Sequence, residues 1–328
     1  VDDLSARSKE TLSFLNSQVQ DTTLKARAES WVANVQANRK HFTTPNPPLL
    51  GVTAFVVAAG PSLKQNVQAL KKVGRMGVIV CVDAVYRYLI ENGIVPDYCV
   101  TLDADARMIT MIEGADTSRT CLIAQASASP AFVDYWKGPK YFLRATGGGK
   151  DIDDKLHAAH RIVKAKRTIM PGEELDPIND IEVVFPGLND ALACGGNVTT
   201  YAHVFALSLL RATKVIFAGA DYSWKSDLDF YAGASHTNLA AERIEGENVF
   251  SHKIIGGELQ TNFTLFHLKT WHEDLAKAHL GHCVNATEGG ILGVNKVGET
   301  MAGWEIMPLD EAIEKYAPKA RAREAVAV

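Results

Sequence analysis

Apolar residues are arranged along this chain in two alternating rhythms. Short uninterrupted apolar runs predict strands: VTAFVVAA at 52–59, GVIVCV at 77–82, DYCVTL at 97–102, TCLIAQ at 120–125, KYFLRA at 140–145 and KVIFAGA at 214–220. Amphipathic stretches between them predict helices at 62–73 (SLKQNVQALKKV), at 84–93 (AVYRYLIENG) and, longest, at 197–212 (NVTTYAHVFALSLLRA). Strands that are apolar throughout, rather than at every second position, need cover on both faces, as in a parallel sheet flanked by helices. Right-handed crossovers then give a doubly wound, mostly parallel α/β sheet, with ligands expected beyond the carboxyl ends of its strands.

The ends of the chain carry a different pattern. Leu12, Phe14, Leu15, Val19, Leu24, Ala28, Trp31, Val32 and Val35 recur at helical spacing, so residues 1 to about 42 are expected to be helical. TPNPPLL at 44–50 breaks that helix, because proline disfavours helix at itself and at the residue before it. Three regions follow: an N-terminal helical arm and linker (1–48), the α/β domain (49–300) and a C-terminal helical extension (301–328). Residues 222–260 have poor periodicity and many polar and aromatic side chains, which suits a functional loop or lid. Beyond them the pattern predicts a helix at 261–280, a short strand in HCVNAT (282–287) and a last helix at 308–317.

Composition narrows the function classes. Among 328 residues, 47% are hydrophobic and 22% charged, which excludes a disordered or collagen-like chain. A net charge of -4 gives no general attraction to nucleic acid or anionic lipid, so any phosphate must be held by local geometry. No apolar run approaches the roughly 20 residues of a membrane span, and the polar amino end does not read as a signal peptide. Cys81, Cys99, Cys121, Cys194 and Cys283 form no CxxC pair and read as small buried hydrophobes in a reducing cytoplasm.

Five places carry candidate chemistry. The first strand ends in Gly60-Pro61-Ser62, where glycine admits a close ligand, proline suits a helix start and the serine hydroxyl faces a phosphate. An ordinary capped strand-to-helix turn is the alternative there. Asp103 and Asp105, two apart at the end of the third predicted strand, can face one ligand and hold Mg²⁺ against a diphosphate. The alternative is that Asp105 caps a helix and only Asp103 faces the crevice. Asp83, at the end of the second strand, is a further crevice candidate. Gly195-Gly196-Asn197 with Thr199 opens the long helix and suits an anion or ribose, although a well-capped helix explains part of the run. Asp221, past the 214–220 strand, and His236, in the irregular loop, are candidates for proton transfer. His267, His272, His279 and His282 are spaced as scattered positions on a helix and not as a zinc motif.

Taken in order, VVAAGPSLKQNVQAL, CVDAVYRYLIENGIVPDYCVTLD, CGGNVTTYAHVFALSLLRATKVIFAGAD, SHTN and VNATEGGILGV resemble the MptE-like family. That family is named for an archaeal 6-hydroxymethylpterin diphosphokinase and includes the central domain of Maf flagellin-modification proteins. The resemblance runs from about residue 50 to about residue 300 and leaves out the helical arm and the tail. It implies a Rossmann-like domain and a nucleotide-using transferase, with the Gly60–Ser62 turn at the phosphates. It carries over Gly60, Pro61, Ser62, Asp83, Asp103, Gly196, Asn197, Asp221, His236 and the Glu288-Gly289-Gly290 turn. Maf-like activity implies glycosyl transfer from a CMP-activated, sialic-acid-like sugar to a hydroxyl acceptor. The archaeal enzyme implies instead Mg²⁺- and ATP-dependent diphosphate transfer to a pterin alcohol. A non-catalytic nucleotide or sugar-phosphate binder, self-associating through its N-terminal helices, is a third expectation. One departure stands out: the family's Gly-Gln-Asp-Leu is Gly219-Ala220-Asp221-Tyr222 here. A second departure is the set of aromatics between Asp221 and His236 (Tyr222, Trp224, Phe230 and Tyr231), which can stack on a base or sugar, so acceptor specificity does not transfer.

Overall fold

The computed structural model describes residues 25–42, 51–74, 76–146, 191–224, 232, 248–251 and 257–317. Its strands are β1 (Thr53–Val57), β2 (Val78–Val82), β3 (Tyr98–Thr101), β4 (Cys121–Gln125), β5 (Lys140–Thr146), β6 (Ala191–Ala193) and β7 (Lys214–Ala218). They are followed by β8 (Asn248–Ser251), β9 (Glu258–Thr261), β10 (Cys283–Asn285) and β11 (Trp304–Ile306). Nine of them form one sheet in the order β11-β10-β7-β1-β2-β3-β4-β5-β6, while β8 and β9 make a separate antiparallel pair. Every pairing in the large sheet is parallel. The fold is α/β and doubly wound, as the unbroken apolar runs predict.

Helices cover both faces of that sheet. They are α1 (25–38), α2 (Leu63–Asn66), α3 (Asp83–Glu91), α4 (Pro130–Tyr135), α5 (Val198–Val204), α6 (Phe263–Ala278) and α7 (Leu309–Tyr316). All of β1 is buried because its alternate residues enter two different cores. Phe55 and Val57 join Leu63 of α2, Leu89 of α3, Phe132 of α4 and Ile313 of α7. Ala54 and Val56 join Tyr201 of α5 and Leu268 and Ala276 of α6.

The structure differs from the sequence pattern in places that have physical causes. The predicted helix at 62–73 is α-helical for four residues and then becomes a 3-10 helix over Val67–Lys72. Val67, Leu70 and Val73 are all buried, and a spacing of three is the one that eclipses side chains in a 3-10 turn. The predicted helix at 197–212 is α5 followed by a π-helical segment, Phe205–Leu209. Elements α4, β6 and β11 escape prediction because three to six residues carry too little periodicity. In the segment expected to be irregular, β8 pairs with β9 and Trp224 bridges Gln260.

Residues 25–42 belong to the body of the fold. Ala28, Val32, Val35 and Asn38 of α1 are buried, and Val35 and Phe42 join the same core as β1. Asn34 Nδ2 donates to the carbonyls of Ala104 and Ser127, both at 3.0 Å. Asn38 Nδ2 donates to Ala126 and Ala128 at 3.0 and 2.8 Å. This helix thus ties down the loops at the carboxyl ends of β3 and β4. Among the described residues, no helix is long and apolar enough to cross a membrane.

Candidate functional site

Strand order reverses between β1 and β7. From β1 the sheet runs outward through β2 to β6, and on its other side lie β7, β10 and β11. The chain leaves β1 into α2 on one face, whereas α6, which follows β7, packs on the opposite face. Crossovers that diverge in this way open a crevice at the carboxyl ends of the two strands, the usual ligand position of doubly wound sheets. The Gly60–Ser62 bend and Asp221 meet there.

Their contact is close and buried. Ser62 Oγ donates to Asp221 Oδ2 at 2.8 Å, and the Ser62 N–H points to Oδ1 at 3.3 Å. Both residues are 6% exposed. Gly60 N–H donates to the Gly219 carbonyl at 2.7 Å, which draws the ends of β1 and β7 together. A Cβ on Gly60 would overlap Asp221 Oδ2 and the Gly219 oxygen, so only glycine allows this approach. A third segment closes over the pair: a Cβ on Gly289 would stand 2.7 Å from Ser62 Cβ, and Gly290 presses on the Asp221 backbone at φ +69°. Glu288, itself at φ +58°, anchors this turn, its Oε1 accepting from Asn66 Nδ2 at 3.1 Å and from Leu309 N–H at 3.0 Å.

Burial pushes the Asp221 carboxyl up to about 7, against the lowering effect of its two hydrogen bonds from Ser62. Such a group gains and loses its proton near neutrality, as general acid–base work requires. The donors of the bend are committed inside the protein: Gly60 N–H to Gly219, Ser62 N–H and hydroxyl to Asp221, and Leu63 N–H to Gly60. Asp221 therefore occupies the position that the sequence suggested for a ligand phosphate. The bend offers a ligand the partly exposed surface of Gly60 and Pro61 above a protonatable pair.

Asp83 lies at the start of α3, at the carboxyl end of β2 and one strand from β1. Its oxygens accept from Ala84 N–H at 2.7 Å and Thr101 Oγ1 at 2.8 Å, and burial raises it to about 6. Asp103 and Asp105 are turned to different partners. Asp103 Oδ1 accepts from Asp105 N–H at 3.0 Å and lies 3.5 Å from Arg27 Nη1. Asp105 caps the 3-10 turn Ala106–Met111 through Arg107 N–H and pairs with the Arg107 guanidinium at 2.6 Å. Those Arg107 hydrogen bonds hold it down to about 2. The two carboxylates do not fit the Mg²⁺ pair suggested by their spacing. Among the described residues, no three His, Cys, Asp or Glu side chains gather to hold a metal.

The residues of the Gly195–Asn197 bend each have a structural task. The Trp271 ring lies where a Gly195 side chain would be, and Gly196 sits at φ +116°. Asn197 and Thr200 form a capping box on α5: Asn197 Oδ1 accepts from Thr200 N–H at 2.8 Å, and Thr200 Oγ1 accepts from Asn197 N–H at 3.3 Å. The bend nevertheless reaches the Asp221 turn. The Asn197 and Thr199 side chains lie beside the Tyr222 hydroxyl, which is 2.6 Å from His272 Nε2. His236 falls outside the described residues, but Ala232, four positions earlier, donates its N–H to the Ala59 carbonyl at 2.7 Å.

Sequence reasoning missed the roles of Asn66, Tyr222, His272, His203 and Cys283, and named Glu288 only as part of its turn. Their partnerships cross 21 to 222 positions, and no local spacing announces them.

Comparison with known proteins bears on the family and the fold. The family model described as 6-hydroxymethylpterin diphosphokinase MptE-like matches residues 29–227. That span starts inside α1 and stops short of β10, so it is shifted toward the amino end relative to the motif-based expectation. No curated protein matches the chain. Among solved structures, a Maf glycosyltransferase from Magnetospirillum magneticum AMB-1 is similar in fold, with a TM-score of 0.56 and 14% sequence identity. The match covers 85% of this chain but 38% of that one, so this chain corresponds to well under half of its neighbour's length.

Proposed function

The chain belongs to the MptE-like family, and on that footing we propose that it is a nucleotide-dependent transferase whose donor lies across the carboxyl ends of β1 and β7. The reading favoured here is glycosyl transfer from a CMP-activated, sialic-acid-like sugar to a hydroxyl acceptor. The observation that carries it is the Ser62–Asp221 pair, buried at the switch point and poised near neutrality. In this reading the donor rests on Gly60 and Pro61, with its nucleoside toward Asn197 and Thr199. The acceptor hydroxyl gives its proton to Ser62 Oγ as Ser62 passes its own to Asp221 Oδ2. The acceptor oxygen bonds to the anomeric carbon while the bond from that carbon to the phosphate oxygen breaks. His236 is assigned protonation of the leaving phosphate. The fold likeness to a Maf glycosyltransferase supports this reading.

The description of the matching family favours a second reading: diphosphate transfer from ATP to a pterin-like alcohol at the same crevice. A thermal-shift screen with CMP, CMP-sugars, ATP and UDP, followed by product analysis, separates the two. Glycosyl transfer expects a CMP-dependent rise in Tm and release of CMP from the sugar donor, abolished by Asp221→Asn. Absence of both a CMP shift and donor cleavage overturns it. AMP release from ATP in the presence of a pterin alcohol establishes the second reading instead.

A further inference from the structure

Behind the site runs a line of buried polar side chains drawn from four separate elements. The Tyr222 hydroxyl lies 2.6 Å from His272 Nε2 on α6. His272 Nδ1 lies 2.9 Å from His203 Nδ1 on α5, and His203 Nε2 lies 3.3 Å from Cys283 Sγ on β10. His203, His272 and Cys283 are fully buried, and Tyr222 is 8% exposed. The Phe217 ring meets both imidazoles edge-on. The acid–base scheme above uses none of these groups.

We propose that Tyr222 is a positioning residue of this site, locked by a one-way hydrogen-bond chain running Tyr222–His272–His203–Cys283, which ties the Asp221 turn to α5 and so to the Gly195–Asn197 bend that opens α5. The direction follows from the two ends of the chain. Among the described residues the Tyr222 hydroxyl has its hydrogen bond with His272 Nε2, and an O–H is a far stronger donor than the Cys283 S–H at the other end. The Tyr222 hydrogen then goes to His272 Nε2. Burial drives both histidines down, His272 to about 3, so both rings are neutral and each has one N–H. With Nε2 accepting, His272 carries its proton on Nδ1 and donates to His203 Nδ1. His203 in turn carries its proton on Nε2 and donates to the Cys283 sulfur. In this direction only the weak Cys283 S–H is left over. The reverse direction would strand the Tyr222 O–H instead. The chain also holds Tyr222 at φ +53°, a conformation that non-glycine residues seldom adopt without such support. The assignment of this unit to ligand binding rests on the switch-point reading given above.

Two measurements need no ligand. Nitrogen-15 NMR of the histidines in the intact protein at pH 7 is expected to show His272 protonated at Nδ1 and His203 protonated at Nε2. The opposite tautomers, or a charged ring, overturn the chain. In Tyr222→Phe, which keeps the ring and removes the hydroxyl, the amides of residues 195–200 are expected to exchange roughly tenfold faster. Unchanged exchange overturns the positioning role; if the variant does not fold, the tautomers of the unaltered protein decide. CMP then serves as probe. Equal CMP affinity in wild type and Tyr222→Phe overturns the positioning role while the site reading stands. If the wild type binds no CMP, the site reading falls, and tautomers and exchange judge the chain by themselves.

Discussion

A carboxylate sealed between a serine and two glycines makes this protein's stability depend on pH in a defined direction. Folded Asp221 titrates near 7 and its unfolded counterpart near the ordinary aspartate value, so between those limits the folded state binds more protons. Its contribution is complete at low pH and is lost as pH rises from about 4 through 7, on the order of a few kcal/mol. Asp83 acts in the same sense up to about 6. The buried histidines His203 and His272, driven down by burial, act in the opposite sense, so the test is a comparison of variants. By urea denaturation, the stability of Asp221→Asn relative to the wild type is expected to be greater at pH 7.5 than at pH 5; an unchanged difference would remove Asp221 as the titrating group. Packing gives a second residue-scale prediction. Gly289→Ala places a methyl against Ser62 Cβ and is expected to cost about 1–3 kcal/mol. Ser62→Gly in the same chain removes that obstacle, so the double variant is expected to be more stable than the sum of the singles allows. The Gly60–Ser62 bend and Asp221 were legible in the sequence because strand ends concentrate glycine and small polar residues. Their mutual contact was not, since 159 residues separate the partners and the phosphate that the bend suggested is replaced by the protein's own carboxylate.

Elements were legible in proportion to their length and burial. The core strands β1 to β5 and β7 are apolar on both faces and could be read directly, whereas β6 and β11 are three residues each. Helix α1 shows where a correct element was given the wrong standing. Its periodicity was visible, but not that Ala28, Val32 and Val35 would find their partners inside the same chain. The decisive groups are polar: the amides of Asn34 and Asn38 satisfy four carbonyls at the carboxyl ends of β3 and β4, including Ala104 beside Asp103. Asn38→Ala strands two of these carbonyls in a buried setting and is expected to destabilise the protein by about 1–3 kcal/mol, measured by chemical denaturation. Deleting residues 1–42 uncovers the core around Val35 and Phe42 and is expected to lower Tm sharply or abolish cooperative melting. A truncated chain that melts like the whole one would make the helix a dispensable arm after all.

At the scale of the whole molecule, the order of the strands decides where chemistry can happen. Continuous apolar runs imply a parallel sheet, but strand order is not contained in any one run. It emerges when β7 inserts next to β1 and not beyond β6. That insertion brings residues 58–62, 219–222 and 286–290 to one edge, while β4, β5 and β6 extend away on the far side. A ligand bound at the switch point must therefore protect a discontinuous set of amides. Hydrogen exchange with and without saturating CMP is expected to slow residues 58–63, 218–223 and 286–291 together, along with 195–200 through Tyr222. Exchange in β4 and β5 is expected to change little, because their amides pair within the sheet and lie several strands from the crevice. Protection centred on residues 121–146 would move the ligand to the other half of the sheet, and Ser62 and Asp221 would then be holding the fold together rather than serving transfer. Protection of the four separated segments at once has no such second explanation, since those segments meet only where the sheet changes direction.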